Sequence, residues 1–565
     1  MSTAIDPITV EVIGNHLEFL TEEMGITLVK SSYSTNIKER RDCCAVLLDA
    51  EGQTISLTAY TGGHLGSVLG LMDELFKRYP RESLKPGDVF MANDAHTGGP
   101  THLPDITVVA PYFHDGELVA FCATVGHHTE VGGGLGAAVD IWGEGVRIPP
   151  IKVFSGGELR EDVLELILLN MRKPDERRGD LEAQFAGVRI GQRRLDELFA
   201  HYSKEEILGS VQILFDQTER RIRRSIEALP DGRYEFEDVM DDDGFDAVNI
   251  PIRCAITIKG DGIELDFTGT SKQVKGGINV TFSALRASVY YALKCALAPD
   301  VPANAGLYRA IRIVAPRGSL VNCVEPAAVL NRSDCYSRVI DVIIGALAPA
   351  APDKVIAACK GAITGIGFHG WTGEDERYWS YLETIAGGFG ARTGLDGVDG
   401  VQTGTANTSN LPSEAMEMEY PLFVERYELI PDSGGAGTWR GGQGILRRYR
   451  VLADRTFFRT KGDRCKTQPW GLFEGEPGYA GRFILNPGTP GERELGSKEF
   501  NIPTNKGDVV EVWTPGSGGY GPTRDRDRQA VLRDVLAGQI SREAALTHYG
   551  VEIDDEELDR LARDL

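Results

Sequence analysis

The sequence predicts an α+β fold in which antiparallel hairpins and sheets alternate with helical segments. Residues 40–60 and 105–128 each contain two strand-like segments around a short polar turn, which is the pattern of a β-hairpin. Other long segments carry apolar residues at helical spacing, and the last third of the chain is glycine-rich and strand-like. Regular strand–helix–strand units are absent from this pattern, so it favours a multi-subdomain mixed fold with helical insertions.

The N-terminal elements follow in order from these periodicities. Residues 7–31 predict a helix, and the first hairpin turns at "DAEG". Residues 65–79 predict a second helix, and "DVFMAND" predicts a short strand that leads into the motif "NDAHTGGPTHLPD". The second hairpin follows, with its turn at residues 114–116.

Helices and then strands are predicted in the rest of the chain. Residues 163–202 and 203–229 are helical in pattern, and the second segment opens with a capping box formed by Ser203 and Glu206. Alternating strands begin near Asp231. Further helices are predicted at residues 283–297 and 334–350 and in a small C-terminal tail.

A chain of 565 residues is too long for one simple core. Shifts in composition predict an N-terminal mixed α/β part at residues 1–230, which carries the candidate site. A strand-rich part at residues 231–525 would contribute to the substrate pocket, and residues 526–565 would form a helical tail.

Charge and cysteine usage exclude several function classes. The net charge of -23 disfavours binding to nucleic acid and to anionic membranes. Nine scattered cysteines without a CxxC pair indicate reduced intracellular thiols. The N-terminus lacks the features of a signal peptide, and no segment has the apolar length of a membrane span, so we expect a soluble cytoplasmic protein.

Residues of metal-binding type cluster at the open end of the second hairpin. If its strands pair antiparallel, their ends bring together His102, Asp105, His127 and His128. Imidazole nitrogen with carboxylate oxygen suits Zn²⁺, Mn²⁺ or Fe²⁺ with an open coordination position. Of two adjacent histidines on an extended chain, normally only one faces a given side, so the other is expected to pack or to support the ligands.

The first hairpin adds Asp42 at the start of one strand and His64 just beyond the end of its partner. From the pattern alone, a metal site and a structural hydrogen-bond cluster explain His102, Asp105 and His127 equally well. The pattern by itself also favours a strand-end role for Asp42 and a turn role for His96. No phosphate-binding loop is visible, so the sequence gives no sign of ATP binding by this chain.

Motifs along nearly the whole chain resemble the hydantoinase B/oxoprolinase family. They include "ERRDCCAVLLDAEG", "NDAHTGGPTHLPDITVVAP", "GHHTEVGG", "GEGVRIPPIKVF", "DFTGTSKQVKGGIN", "YLETIAGGFGARTGLDGVDG" and "EYPLFVERYELIPDSGGAGTWRGGQG". The family contains B-type subunits of ATP-dependent hydantoinases, oxoprolinases and caprolactamases, and related subunits of acetone and acetophenone carboxylases.

The resemblance implies a metal site and a division of labour. Matched position by position, the metal ligands fall on Asp42, His102, Asp105 and His127. A separate A-type subunit would bind ATP and phosphorylate the substrate's carbonyl, and a water activated by the divalent metal, Zn or Mn, would complete the hydrolysis of a cyclic amide. We therefore expect a hetero-oligomer with an A-type partner and a small-molecule substrate, without nucleic acid or membrane.

The resemblance also implies roles around the metal. The predicted catalytic residues are Asp105 and His128, with Asp105 as the base if it is not a ligand. His64 and Glu383 match family motifs expected to line the substrate site, and His96, an addition to the family pattern, completes the predicted substrate-binding set. The alternatives are a subunit of an ATP-dependent carboxylase of the acetone or acetophenone type and a catalytically silent scaffold subunit.

Overall fold

A computed structural model describes residues 5–60, 68–97, 99–134, 137–372 and 377–564. The chain forms two compact units. The first comprises the described parts of residues 1–233, 255–332 and 407–409, and the second those of residues 234–254, 333–406 and 410–565.

Twelve helices occur in the described residues, and most match the segments predicted from apolar periodicity. They are α1 (Pro7–Ser31), α2 (Thr35–Lys38), α3 (Leu69–Arg78), α4 (Glu161–Leu169), α5 (Pro174–His201), α6 (Lys204–Glu227), α7 (Phe282–Leu297), α8 (Arg332–Leu347), α9 (Ser413–Glu419), α10 (Arg528–Leu536), α11 (Arg542–Tyr549) and α12 (Asp555–Asp564). In the same residues, no helix combines the length and the apolar character that crossing a bilayer requires.

One predicted helix is two helices in the structure. The segment 163–202 is interrupted between α4 and α5, where Lys173 takes a left-handed conformation (φ 55°) and Pro174 starts α5. Proline disfavours helical geometry in the residue before it and is well accommodated in the first turn, so it marks a helix start here. The predicted capping box of α6 is present, with Ser203 and Glu206 each accepting from the other's backbone.

The strands form four sheets that are mostly antiparallel, which confirms the α+β fold class. They are β1 (Cys43–Asp49), β2 (Thr54–Ala59), β3 (Val89–Ala92), β4 (Asp105–His114), β5 (Glu117–His127), β6 (Ile151–Ser155), β7 (Glu158–Leu159), β8 (Gly232–Asp242), β9 (Val248–Lys259), β10 (Gly262–Asp266), β11 (Ile311–Val314), β12 (Gly365–Thr372), β13 (Arg377–Thr384), β14 (Leu422–Leu429), β15 (Ile445–Val451), β16 (Thr456–Lys461), β17 (Arg482–Leu485), β18 (Arg493–Leu495), β19 (Ile502–Thr504) and β20 (Val509–Trp513).

The main sheet of the first unit has the order β2-β1-β5-β4-β3-β6-β7, and all its neighbours are antiparallel. Both predicted hairpins, β1–β2 and β4–β5, lie in it. In the same unit, β10 pairs antiparallel with the last residues of β9 and parallel with β11.

The main sheet buries both of its faces, as its long apolar runs require. Ile106, Val108 and Ala110 of β4 pack into a core with residues of α1, α5 and α6, whereas Val109 packs into a core on the other face with residues of α3. This alternation follows the period of two along a strand. It fixes which side each residue of β4 faces.

The second unit contains two antiparallel sheets, with the orders β13-β12-β16-β19 and β14-β15-β20-β17-β18. Its apolar core includes Phe368, Tyr449, Phe458 and Val510, all at most 1% exposed. The glycine-rich, strand-like pattern of the last third of the sequence corresponds to this part.

The turn before β3 depends on a glycine at position 87. Gly87 has φ +81°, and its carbonyl accepts from the Gly157 amide in the turn that connects β6 and β7. A Cβ at position 87 would lie 2.5 Å from that amide nitrogen. Gly116 has a similar φ of +80°, but no heavy atom lies within 4 Å of its Cβ position.

We predict that Gly87→Ala lowers the melting temperature more than Gly116→Ala does. Both variants carry the cost of a left-handed alanine, about 1–2 kcal/mol, but only the first also clashes with backbone. Thermal unfolding followed by circular dichroism measures the difference. Equal melting temperatures for the two variants would contradict the role of this close approach.

Candidate metal centre

Three side chains with metal-binding groups converge where β4 begins and β5 ends. Asp105 is the first residue of β4 and pairs directly with His127, the last residue of β5. His102 precedes Asp105 by one turn, and its Nε2 lies 3.1 Å from Asp105 Oδ1. One ligand atom from each of the three residues lies within 4.8 Å of the others. The structure thus brings together three of the four predicted ligands.

Hydrogen bonds to neighbouring strands hold the loop that contains His102 on both sides. The His102 carbonyl accepts from the Asp105 amide, and the Pro104 carbonyl accepts from the His128 amide. Asn93, at the end of β3, donates to the Leu103 carbonyl at 2.8 Å. The motif "THLPD" is therefore a tight turn locked between two strands, which explains why its polar residues are buried.

Both ring nitrogens of His102 face oxygens that accept hydrogen bonds. Nδ1 lies 3.2 Å from the Leu330 carbonyl oxygen and Nε2 lies 3.1 Å from Asp105 Oδ1, so a neutral ring can donate to only one of them. Burial, the first cause, and the charge of Arg332 lower the pKa of His102 to about 3, so the ring is neutral at physiological pH. With its hydrogen on Nδ1, the ring presents the lone pair of Nε2 to Asp105 Oδ1.

In that tautomer two acceptors face each other at 3.1 Å in a buried place, because His102 is 3% exposed and Asp105 is fully buried. A lone pair facing a carboxylate oxygen is unfavourable unless a proton or a cation lies between them. Two neutral imidazoles and a carboxylate are a donor set that divalent transition metals prefer. The residues present therefore fit a divalent metal ion.

Asp105 is held as an anion by two donors on its other oxygen. Arg332 Nη2 lies 3.0 Å from Oδ2, and the Thr101 hydroxyl donates to the same oxygen at 3.2 Å. Arg332 also donates through Nε to Thr101 Oγ1 at 2.8 Å, so the three side chains form one buried network. These contacts leave Oδ1 turned toward His102.

His127 is oriented by residues of the first hairpin and of α2. Arg40 donates to Asn36 Oδ1, and the Asn36 amide nitrogen donates to the His127 carbonyl and lies 3.0 Å from its Nδ1. Burial lowers the pKa of His127, so this ring too is neutral, and its Nδ1 accepts from the Asn36 amide nitrogen. The rings of His102 and His127 are 5.0 Å apart between centroids.

The remaining predicted site residues lie elsewhere or contribute differently. Asp42 is joined to the centre through its backbone, because its carbonyl accepts from the His127 amide at 3.0 Å, and its charge raises the pKa of His127. It is not a member of the group of three defined by the 4.8 Å limit. His64 lies outside the described residues.

His128 is directed away from that group. Its Nε2 lies 3.0 Å from Gln184 Oε1, and the Gln184 amide nitrogen donates to the carbonyls of Ile106 and Thr124. Burial lowers the pKa of His128 to about 4. His128 is thus a neutral residue that joins β5 to α5, and its position between the sheet and a helix matches the expectation for the second of two adjacent histidines.

The predicted substrate-binding residues have protein partners. His96 Nε2 lies 2.9 Å from the Ala327 carbonyl oxygen in the first unit. Glu383 lies in the second unit, fully buried, where it accepts from Asn410 and Tyr449 and lies 2.9 Å from Arg447. Their substrate-binding roles stay predictions.

Several supporting residues could not be found from the sequence. Arg332 is separated from Asp105 by 227 residues, and Leu330 acts through its carbonyl group. No spacing in the sequence links them to the second hairpin. Thr101 could have been predicted to support the site, because it directly precedes the predicted ligand His102 in the sequence.

Comparisons with known proteins agree with this architecture. The family model of Hydantoinase B/oxoprolinase matches residues 6–523. The B-type chain of a putative D-/L-hydantoinase from Pseudomonas sp. (strain NS671) is 36% identical, and the match covers 98% of this chain and 97% of that one. The crystal structure of an ATP-dependent caprolactamase from Pseudomonas jessenii superposes with a TM-score of 0.91 at 29% identity, with all of both chains covered.

An acetone carboxylase in its nucleotide-free form shares the fold, with a TM-score of 0.86, 19% identity and coverage of 99% of this chain and 82% of that one. Fold and site together define an α+β protein with a largely buried cluster of two histidines and one carboxylate. The chain belongs to the hydantoinase B/oxoprolinase family.

We predict that Arg332→Met destabilises the metal-free protein by about 3–5 kcal/mol, because it leaves the buried Asp105 carboxylate without its cation. Urea denaturation of the chelator-treated protein measures this change. Arg312→Met is a matched control, because Arg312 pairs with Glu264 at 3.1 Å on the surface and its loss should cost less than about 1 kcal/mol. Equal losses in the two variants would contradict the role given to Arg332.

Proposed function

We propose that this chain is the B-type subunit of an ATP-dependent cyclic-amide hydrolase and that His102, Asp105 and His127 hold its divalent metal, Zn²⁺ or Mn²⁺. The observation that carries the proposal is the convergence of one ligand atom from each of these residues within 4.8 Å of the others, with His102 Nε2 3.1 Å from Asp105 Oδ1. Asp42 is a candidate fourth ligand, since its backbone adjoins His127. Catalytic metal sites typically have three protein ligands and keep one position for water or substrate, whereas structural sites are closed by four.

When bound, a divalent metal supplies Lewis acidity, which lowers the pKa of water and polarises a carbonyl group. Residues around the three ligands orient them for that chemistry. Leu330 and Asn36 orient the two imidazoles, and Arg332 with Thr101 keeps Asp105 ionised. Since Arg332 and Thr101 bind Oδ2 of Asp105 and Oδ1 faces His102, its contacts favour the role of ligand over that of general base. A pKa of about 4 makes His128 a weak base at neutral pH, so a catalytic role for it stays a prediction.

The substrate class and the need for ATP come from the relatives. Their names describe the B-type chain of a hydantoinase and an ATP-dependent caprolactamase, whose substrates are cyclic amides. In this proposal a partner A-type subunit uses ATP to phosphorylate the oxygen of the amide carbonyl. Water at the metal site would then form a bond to the carbonyl carbon, the carbon–nitrogen bond would break as the nitrogen takes up a proton, and hydrolysis of the resulting acyl phosphate would release inorganic phosphate.

We expect the purified chain to bind one Zn²⁺ or Mn²⁺ per molecule, measured by elemental analysis. His102→Ala, Asp105→Asn and His127→Ala should each remove most of the metal, because each deletes a ligand. His16→Ala, which alters an exposed histidine of α1, is the control and should retain it. Metal retained in all three site variants would contradict the assignment of these residues as ligands. A wild-type protein without metal would favour the alternative of a catalytically silent scaffold subunit.

With its A-type partner, the chain should open a cyclic amide only when ATP is present. Phosphate release and ring opening, followed together with hydantoin, 5-oxoproline and caprolactam, measure this activity. His127→Ala should lower it by several orders of magnitude, whereas His16→Ala should not. ATP consumption that depends on bicarbonate and a ketone, without ring opening, would instead identify a carboxylase.

A further inference from the structure

An irregular segment of the first unit, residues 326–331, supports the candidate metal centre. It provides the Leu330 carbonyl that lies 3.2 Å from His102 Nδ1, and it leads directly into Arg332, whose guanidinium lies 3.0 Å from Asp105 Oδ2. A helix or a strand would fix its own backbone through regular hydrogen bonds, but this segment has neither. Its position therefore depends on hydrogen bonds to neighbouring elements of the first unit, from side chains and from backbone groups such as the Gly277 carbonyl, which accepts from the Asn331 amide.

Glu144 is the residue that binds this segment at the point nearest to His102. Its Oε1 accepts from two consecutive backbone amides, those of Val329 at 2.6 Å and Leu330 at 2.7 Å. Glu144 ends a short turn of 3₁₀ helix (Ile141–Glu144), and the Ile141 amide donates to the Pro326 carbonyl at the start of the same segment. The turn thus holds the segment at two places.

The environment of Glu144 is unusual for an acid. The residue is 5% exposed, and its second oxygen, Oε2, is buried and has no hydrogen-bond partner among the described residues. Burial raises the pKa of Glu144 to about 8. A buried acid with an unsatisfied oxygen is costly for the fold, which indicates that it is retained for a reason other than stability.

We propose that Glu144 is a positioning residue for the metal centre. By binding both amides through one oxygen, it aims the Leu330 carbonyl at Nδ1 of His102. That carbonyl keeps the proton of His102 on Nδ1 and leaves the lone pair of Nε2 for the metal. Val329 and Leu330 lie only three and two residues before Arg332, which reaches Asp105, so Glu144 also restrains the backbone that leads to this arginine. This inference rests on the metal site of the proposed function.

Glu144→Leu tests the proposal, because leucine fills a similar volume but cannot accept a hydrogen bond. We expect it to bind Zn²⁺ about 10–100-fold more weakly than wild type in a competition titration with a chelator, the range typical for loss of a residue that supports a metal ligand. The visible absorption spectrum of the Co²⁺-loaded protein should also change. Glu144→Gln keeps the accepting oxygen and should restore both the affinity and the spectrum.

Asp88→Leu provides a matched control for general destabilisation. Asp88 is a fully buried acid of the first unit that accepts from the backbone amides of Lys85 and Gly156, and it contacts neither His102 nor Leu330. We expect this variant to lower the melting temperature and to leave Zn²⁺ affinity and the Co²⁺ spectrum unchanged. If Glu144→Leu does not fold, Glu144→Ala replaces it with the same expectation.

The outcomes separate this inference from the proposed function. Wild-type affinity and spectrum in Glu144→Leu overturn the positioning role while the metal site stands. An equal loss of affinity in Asp88→Leu and Glu144→Leu also overturns it, because the effect would then come from lower stability. A wild-type protein that binds neither Zn²⁺ nor Co²⁺ overturns the proposed function, and this inference with it.

Discussion

The pairing register of β4 and β5 is the constraint on which the candidate centre depends. Asp105 lies directly opposite His127, and the two strands are joined by a short turn after His114. A slip of one residue would place a different residue opposite Asp105 and would turn the apolar side chains of β4 to the wrong face. Since Ile106 and Val108 pack into one core and Val109 into another, the burial of β4 opposes such a slip. The same packing that stabilises the sheet therefore aligns the ligands.

This dependence explains why much of the site can be predicted from the sequence. A hairpin has a period of two and a turn that sets its register, so the residues at its open end can be matched by counting. Such counting gathers His102, Asp105 and His127 without any coordinates. The helices are predictable for a similar reason, since α1 and α6 carry clear apolar periodicity and α6 also has its capping box. The break before α5 has a sequence signal in Pro174, but the helical pattern on both sides masks it.

The rest of the site could not be predicted because its interactions leave no pattern in the sequence. Leu330 contributes a carbonyl group, which every residue possesses, and it lies 228 residues from His102. Glu144 binds backbone amides in a segment without regular structure, so neither partner has a characteristic residue type. Arg332 is one of many arginines, and only the folded chain brings it to Asp105. The sequence thus identifies groups that perform chemistry more readily than groups that orient them.

The charge balance around Asp105 bears on what kind of centre this is. A structural zinc site leaves its ligands uncompensated without metal, and such domains commonly unfold when the metal is removed. Here Arg332 and Thr101 satisfy one oxygen of Asp105 within the protein, and both histidines are neutral. The fold around the centre therefore has its own compensation for the buried carboxylate, apart from the single contact between His102 and Oδ1. This independent compensation supports the proposal that the metal takes part in a reaction, since a metal that holds the chain together would be needed for folding.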